Sequence, residues 1–145
     1  MEMTVTFPGN LRVEAHYKGF DIGTDQPEFA GGDNSAPAPF DLFLASIGTC
    51  AGFYAMRFLE QRGYDSRKAM VILRTEKNDA TRMIETIHID VRLPKEVPEK
   101  YYQAIIRSVD QCAVKKLIIK APDFRVNVVR IEDAEALDSF VEKRS

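Results

Sequence analysis

Two cysteines, Cys50 and Cys112, are the only thiols in this chain of 145 residues. Cys50 lies in the apolar run LFLASIGTCAGFYAMRFL, beside the small residues Gly48, Thr49 and Gly52. Small neighbours would let a substrate approach the sulfur, and a thiolate there would be a nucleophile. The competing reading is a packed cysteine acting as a small hydrophobe, which sequence pattern alone favours. A thiol in mid-helix gains little from the helix dipole and needs an arginine or a hydrogen-bond donor to lower its pKa. Cys112 follows Asp110-Gln111 and precedes a predicted short helix. Free backbone N–H groups and the dipole favour a thiolate at a helix start, so Cys112 reads as a second, resolving thiol or again as a packed one. Nothing in the sequence shows that the two meet.

Other residue types offer less. His16 and His88 fall on the polar faces of predicted strands, with no cysteine or carboxylate at metal-ligand spacing, so both read as solvated surface histidines. No Cys-His protease signature is present. Gly31-Gly32 lacks the Walker lysine and the GxGxxG spacing and reads as a loop turn. Phe53-Tyr54 and Tyr101-Tyr102 read as core or interface aromatics, or as the lining of an apolar pocket. A formal net charge of -2 without a block of like charges argues against nucleic acid or an anionic membrane as partner. The N-terminal residues lack a basic start followed by an apolar run, so no secretory signal is expected, and two cysteines are too few for a disulfide scaffold. Reduced thiols or a reversible pair, in the cytoplasm, are the expectation.

Elements must position these residues. Length suggests one compact domain over residues 1–145. Leu11 to Lys18 alternates as a half-buried strand, Gly19 turns the chain, and Phe20 to Thr24 returns. Residues 25–39 form a Gly- and Pro-rich loop. A helix starts near Pro39, runs apolar through Leu59 and is capped by Gly63. It is hydrophobic nearly all round, so burial on most sides is expected. A membrane span is the weaker reading, because 18 residues is short for a bilayer and Arg57 lies inside. Strands follow over 70–77 and 84–93, then a helix over 99–111 with Tyr102, Ile105, Ile106 and Val109 on one stripe. A short helix over Ala113–Lys120, a strand over Phe124–Ile131 and a terminal helix over Glu132–Arg144 complete the chain. The predicted class is α+β, with a mostly antiparallel sheet packed on a long buried central helix. One small sheet covers one side of that helix, so a second subunit is expected on the other, making a homodimer.

The stretch AGGDNSAPAPFDLFLASIGTCAG joins a Gly-Gly loop, a proline, an acidic residue, an apolar run and a mid-helix cysteine. With VDQCAVKKLI it resembles the OsmC/Ohr family, the osmotically inducible and organic hydroperoxide resistance proteins, over nearly the whole chain. The resemblance implies an intertwined α+β homodimer with active sites at the subunit interface and thiol-dependent reduction of organic hydroperoxides. Cys50 matches the peroxidatic cysteine and Cys112 the resolving one, re-reduced by an external thiol or dithiol such as a lipoylated protein. No metal or organic cofactor is implied. The hydroperoxide-resistance branch carries a glutamate directly after the pre-helix proline, paired with an arginine at the thiol. Here that position is Phe40, the nearest acid is Asp41, and Arg12 is the candidate arginine. One residue turns a helical side chain by about 100°, so Asp41 need not face the thiol as the glutamate does.

Two other functions fit the same residues. One is a non-enzymatic module in which Phe53, Tyr54 and Phe58 line a pocket for a small hydrophobic ligand. The other is a redox sensor that signals through its disulfide.

Overall fold

A computed structural model describes residues 2–128 and 130. The chain divides into two compact units, one of them Phe40–Ala121 and the other holding the chain before Phe40 with the described residues after Ala121.

The first unit is built on an antiparallel sheet of order β1-β2-β3, with β1 Thr4–Gly9, β2 Arg12–Tyr17 and β3 Phe20–Thr24. The predicted hairpin is β2–β3. Its connection, Lys18-Gly19, has positive φ at both residues (50° and 78°), the geometry whose twist matches paired strands. β1 is an addition to the sequence reading. Pro8 is tolerated there because β1 is an edge strand, and Gly9 and Asn10 turn into β2 with φ of 117° and 52°. His16 is anchored rather than solvated: Nδ1–H donates to Asp21 Oδ1 at 2.6 Å, and Nε2 meets Thr6 Oγ1 at 2.9 Å.

The loop after β3 closes around Asp25, a carboxylate that is 0% exposed. One oxygen accepts the Gln26 N–H at 2.7 Å. The other accepts the Ser35 N–H at 2.9 Å, the Ser35 hydroxyl at 2.7 Å and the Asp33 N–H at 3.2 Å. The two Ser35 donors hold the carboxyl below its ordinary 3.8, outweighing the opposing effect of burial, and Gln26 and Asp33 add to them. Gly32 lies so close to the loop's own backbone that a Cβ would stand 2.0 Å from the Gln26 carbonyl oxygen. The Gly-Gly pair is therefore a turn required by close approach.

The second unit centres on α1, Pro39–Glu60. Pro39 and Asp41 suit its first turn. Gly63 (φ 76°) closes its end, with the Gly63 N–H on Glu60 O and the Tyr64 N–H on Leu59 O, both at 3.0 Å. The antiparallel hairpin of β4 (Met70–Lys77) and β5 (Ile84–Arg92) lies against α1. Gly48 and Gly52 face it: a Cβ on either would stand in ordinary contact, 3.9 Å, with Leu73 or Val71. After a 3-10 turn at Glu99–Tyr101 come α2 (Tyr102–Val109) and α3 (Ala113–Ile119). The core joins Ala51, Ala55, Phe58 and Leu59 of α1 to Val97, Ile105 and Val109, with Val71, Ile89 and Val91 packed on it. The architecture is α+β with antiparallel pairing throughout the described sheets.

Within this chain α1 buries one stripe, and Phe40, Phe43, Phe53 and Met56 are exposed. Further expectations change. By length and composition alone α1 could cross a membrane, a test that the core helix of a soluble domain also passes. On α2 only Ile105 and Val109 are buried, while Tyr102 and Ile106 open onto a cavity of about 470 Å³ beside β5. The strand expected over Phe124–Ile131 does not form among the described residues 124–128, where Phe124, Val126 and Val128 are 87%, 90% and 98% exposed. A strand needs a ladder partner, and these residues have no strand pairing. The terminal helix expected over Glu132–Arg144 lies outside the described residues. His88, expected to be solvated, is half-buried with Nε2 2.9 Å from Glu76 Oε1.

Leu59→Ala should cost about 2–5 kcal/mol in urea unfolding, because Leu59 is 0% exposed and its loss leaves a cavity. Asp25 has a depressed folded pKa, so its stabilisation is complete above 3.8 and is lost as pH falls through the lower folded value. Asp25→Asn should therefore lower the melting temperature at neutral pH and shrink the difference between neutral pH and about pH 3. An unchanged acid sensitivity would count against this role.

Candidate thiol site

Both cysteines lie in the second unit. Cys50 is carried by α1 and Cys112 by the corner between α2 and α3. That corner is made of tight turns: Asp110 N–H to Ile106 O at 2.9 Å, Gln111 N–H to Ser108 O at 3.0 Å and Cys112 N–H to Val109 O at 3.1 Å. The Ser108 hydroxyl donates to Tyr54 O at 3.3 Å and ties α2 to α1 one turn beyond Cys50. Cys112 is the N-cap of α3, its Sγ accepting the Lys115 N–H at 3.5 Å. Lys115 Nζ bonds Asp110, and Lys116 Nζ donates to Gln111 Oε1 at 2.7 Å, so two lysines staple the corner.

This folding places the two cysteines near enough for each thiol to shift the other. Burial pushes the Cys50 thiol up, but the Cys112 thiol and the N–H groups of Val114 and Ala113 all favour its thiolate, and the net result is below the ordinary 9.0. Cys112 goes the other way. Burial raises it, the bond it gives to Cys50 and the Cys50 charge raise it further, and the N–H groups of Lys115 and Val114 offset this only in part. The two thiols are therefore shifted in opposite directions, Cys50 toward the thiolate and Cys112 toward the thiol. Cys50 is half-buried, and Cys112 is 1% exposed. The helix start after Cys112 was legible in the sequence, but the expected beneficiary was Cys112. The N–H groups of Ala113 and Val114 also favour the thiolate of Cys50 on the neighbouring helix, and that effect has no local sequence signal.

The remaining candidates lie elsewhere. Asp41 precedes Cys50 by nine residues on α1. At 1.5 Å and 100° per residue, it sits about 13 Å away along the axis and on the opposite face. Arg12 is exposed at the start of β2, in the other compact unit. The groups that set the Cys50 pKa are the Cys112 thiol and backbone N–H, with neither a guanidinium nor a carboxylate among them. Among the described residues no group of three or more His, Cys, Asp or Glu could hold a metal. The arrangement supplies a nucleophilic sulfur with a second thiol beside it.

No curated protein matches the chain. Among solved structures, a protein from Psychrobacter arcticus, described as an osmotic stress induced and detoxification response protein, is similar with a TM-score of 0.65 at 23% identity, over 79% of this chain and 85% of that one. An organic hydroperoxide resistance protein OsmC from Legionella pneumophila is similar with a TM-score of 0.53 at 14% identity, over 81% and 87%. An organic hydroperoxide resistance protein from Vibrio cholerae, with captopril bound in one of its active sites, gives 0.50 at 14% over 81% and 84%. At these identities the likeness is one of fold. The model of the OsmC-like protein family matches residues 32–127, well over half of the chain. The chain belongs to the OsmC-like protein family.

Proposed function

We propose that the protein reduces organic hydroperoxides by a two-cysteine cycle, in oxidative-stress defence in the cytoplasm. The observation that carries this reading is that Cys50 and Cys112 lie near enough to shift one another, Cys50 down and Cys112 up. The Cys50 thiolate attacks the terminal peroxide oxygen, the O–O bond breaks, and the alkoxide leaves as the alcohol after taking a proton. Cys50 is left as a sulfenic acid. The Cys112 sulfur then displaces that hydroxyl as water and forms the disulfide. An external dithiol reduces the disulfide and becomes oxidised in turn. Family membership supports the reading, as does a structural neighbour named for organic hydroperoxide resistance.

The working form in this reading is a homodimer. Phe40, Phe43, Phe53 and Met56 on α1 are apolar and 37–55% exposed within one chain, and a second copy would remove them from water. A second reading, binding of a small hydrophobic ligand, is favoured by a separate apolar cavity of about 350 Å³ lined by Gly52, Met56, Met70 and Val71, with Arg67 at its edge. The residues expected to line such a pocket do not: Phe58 is buried in the core and Phe53 is exposed. Native mass spectrometry distinguishes the two, since the ligand reading requires a co-purified small molecule together with inert thiols.

Cys50→Ser should abolish consumption of cumene hydroperoxide in the presence of dithiothreitol, whereas Cys112→Ser should still react once and then accumulate a sulfenic acid at Cys50. Consumption by Cys50→Ser at the wild-type rate would rule the cycle out. The rate of Cys50 alkylation by iodoacetamide should rise with pH through a midpoint below 9.0, because only the thiolate reacts. Cys112→Ala removes a donor that stabilises this thiolate, so the midpoint should move up. A downward shift would contradict the assigned polarity.

A further inference from the structure

The three-stranded sheet of the first unit places a second set of reactive groups on one face. Directly paired residues share a face of a sheet, and so do residues two apart along a strand. The pairs Thr4–His16 and His16–Asp21, with Thr6–Glu14 and Glu14–Gly23 beside them, therefore line one polar face. Val5, Ala15 and Ile22 pair on the other. The direct partner of His16 on β1 is Thr4, yet its ring reaches the diagonal residue. Nε2 lies 2.9 Å from Thr6 Oγ1, and Nδ1 lies 2.6 Å from Asp21 Oδ1. Glu14 Oε2, at 3.9 Å from Nε2, stands outside hydrogen-bonding reach.

A hydroxyl, an imidazole and a carboxylate joined in this order make an activated oxygen nucleophile. Asp21 accepts the Nδ1 proton, which fixes the neutral tautomer with its lone pair at Nε2. That lone pair meets Thr6 and can take the hydroxyl proton. Asp21 and Glu14 then offset the positive charge on His16. Each of the three groups stands on a different strand of one sheet, so strand pairing sets their spacing. Threonine is stiff at χ1, which holds Oγ1 on the ring. The His16 side chain is 16% exposed, so the ring has little room to turn away. Gly23 leaves the same face open, since a Cβ there would meet nothing within 4 Å. On an open face a developing oxyanion meets water rather than an enclosed set of donors. The site therefore suits acyl donors that already carry a good leaving group, thioesters and aryl esters, and not amides.

We propose that Thr6 is an acyl-acceptor site, activated by His16 and oriented through Asp21, for activated esters of the thioester and aryl ester class. Oγ1 attacks the acyl carbon, and its proton passes to His16 Nε2. The bond from the acyl carbon to the leaving group breaks, and His16 gives the proton to the departing thiolate or phenolate. The products are an ester at Thr6 and a free thiol or phenol, with no change in oxidation state. Water that attacks this ester with His16 as base restores Thr6 and frees the carboxylic acid. The site uses neither cysteine and does not rest on the hydroperoxide reading.

The test treats the full chain with p-nitrophenyl acetate and maps the peptides by mass spectrometry, which separates acetyl on Thr6 from acetyl on cysteine or lysine. Thr6 should carry acetyl, and hydroxylamine should remove it as it removes an ester. His16→Gln should slow labelling of Thr6 by about a hundredfold or more, the share of a general base. Asp21→Asn should slow it as well, because an asparagine amide can donate to Nδ1 and leave the ring proton on Nε2. Thr6→Ser keeps the hydroxyl and should still be labelled at position 6, an outcome that a role in strand pairing alone does not produce. Thr6 without acetyl overturns the site. So does labelling of Thr6 at the wild-type rate in both His16→Gln and Asp21→Asn, which is the behaviour of an ordinary surface hydroxyl. Acetyl on His16 in place of Thr6 makes the imidazole the nucleophile and overturns it too.

Discussion

Where α1 passes the start of α3, Cys50 and Cys112 lie near enough for each thiol to shift the other, and Cys112 Sγ accepts the Lys115 N–H at 3.5 Å. The same contact lowers one thiol, raises the other and caps the helix. The proposed nucleophile and the proposed resolving thiol are thus set apart by one interaction, beside the sulfur that caps α3.

Much of the second unit serves to hold that contact in register. Gly48 and Gly52, on either side of Cys50 along α1, face Leu73 and Val71 of β4. Ile105 and Val109 anchor α2 in the core, and the Ser108 hydroxyl bonds the Tyr54 carbonyl of α1. The turns from Asp110 to Cys112 then carry the second sulfur to the first. The groups that lower the Cys50 thiol are backbone N–H groups and the neighbouring Cys112 thiol. Asp41 lies on the far face of α1, so the displacement of the acid from position 40 to position 41 has a clear geometric meaning.

Local rules carried the sequence reading far. Lys18-Gly19, Gly63 and the alternation of β4 and β5 each encode their geometry within a few residues, and the structure has turns, cap and strands there. β1 was hidden because Pro8, Gly9 and Asn10 interrupt its pattern, and pairing with β2 supplies what its sequence lacks. Phe124, Val126 and Val128 read as a strand from alternation alone, yet alternation does not provide a ladder partner. The thiol site was legible as residue types and as a family resemblance. The direction of the helix-start effect was not, because it depends on a contact between residues far apart in sequence.

The central claim is that Cys50 is the nucleophile and Cys112 its partner in one disulfide. Its most direct test is peptide mapping by mass spectrometry after adding one equivalent of cumene hydroperoxide to the reduced protein. The account predicts a Cys50–Cys112 disulfide within one chain, formed through a Cys50 sulfenic acid that dimedone traps in Cys112→Ser. Unmodified thiols, or oxidation that falls first on Cys112, would contradict it.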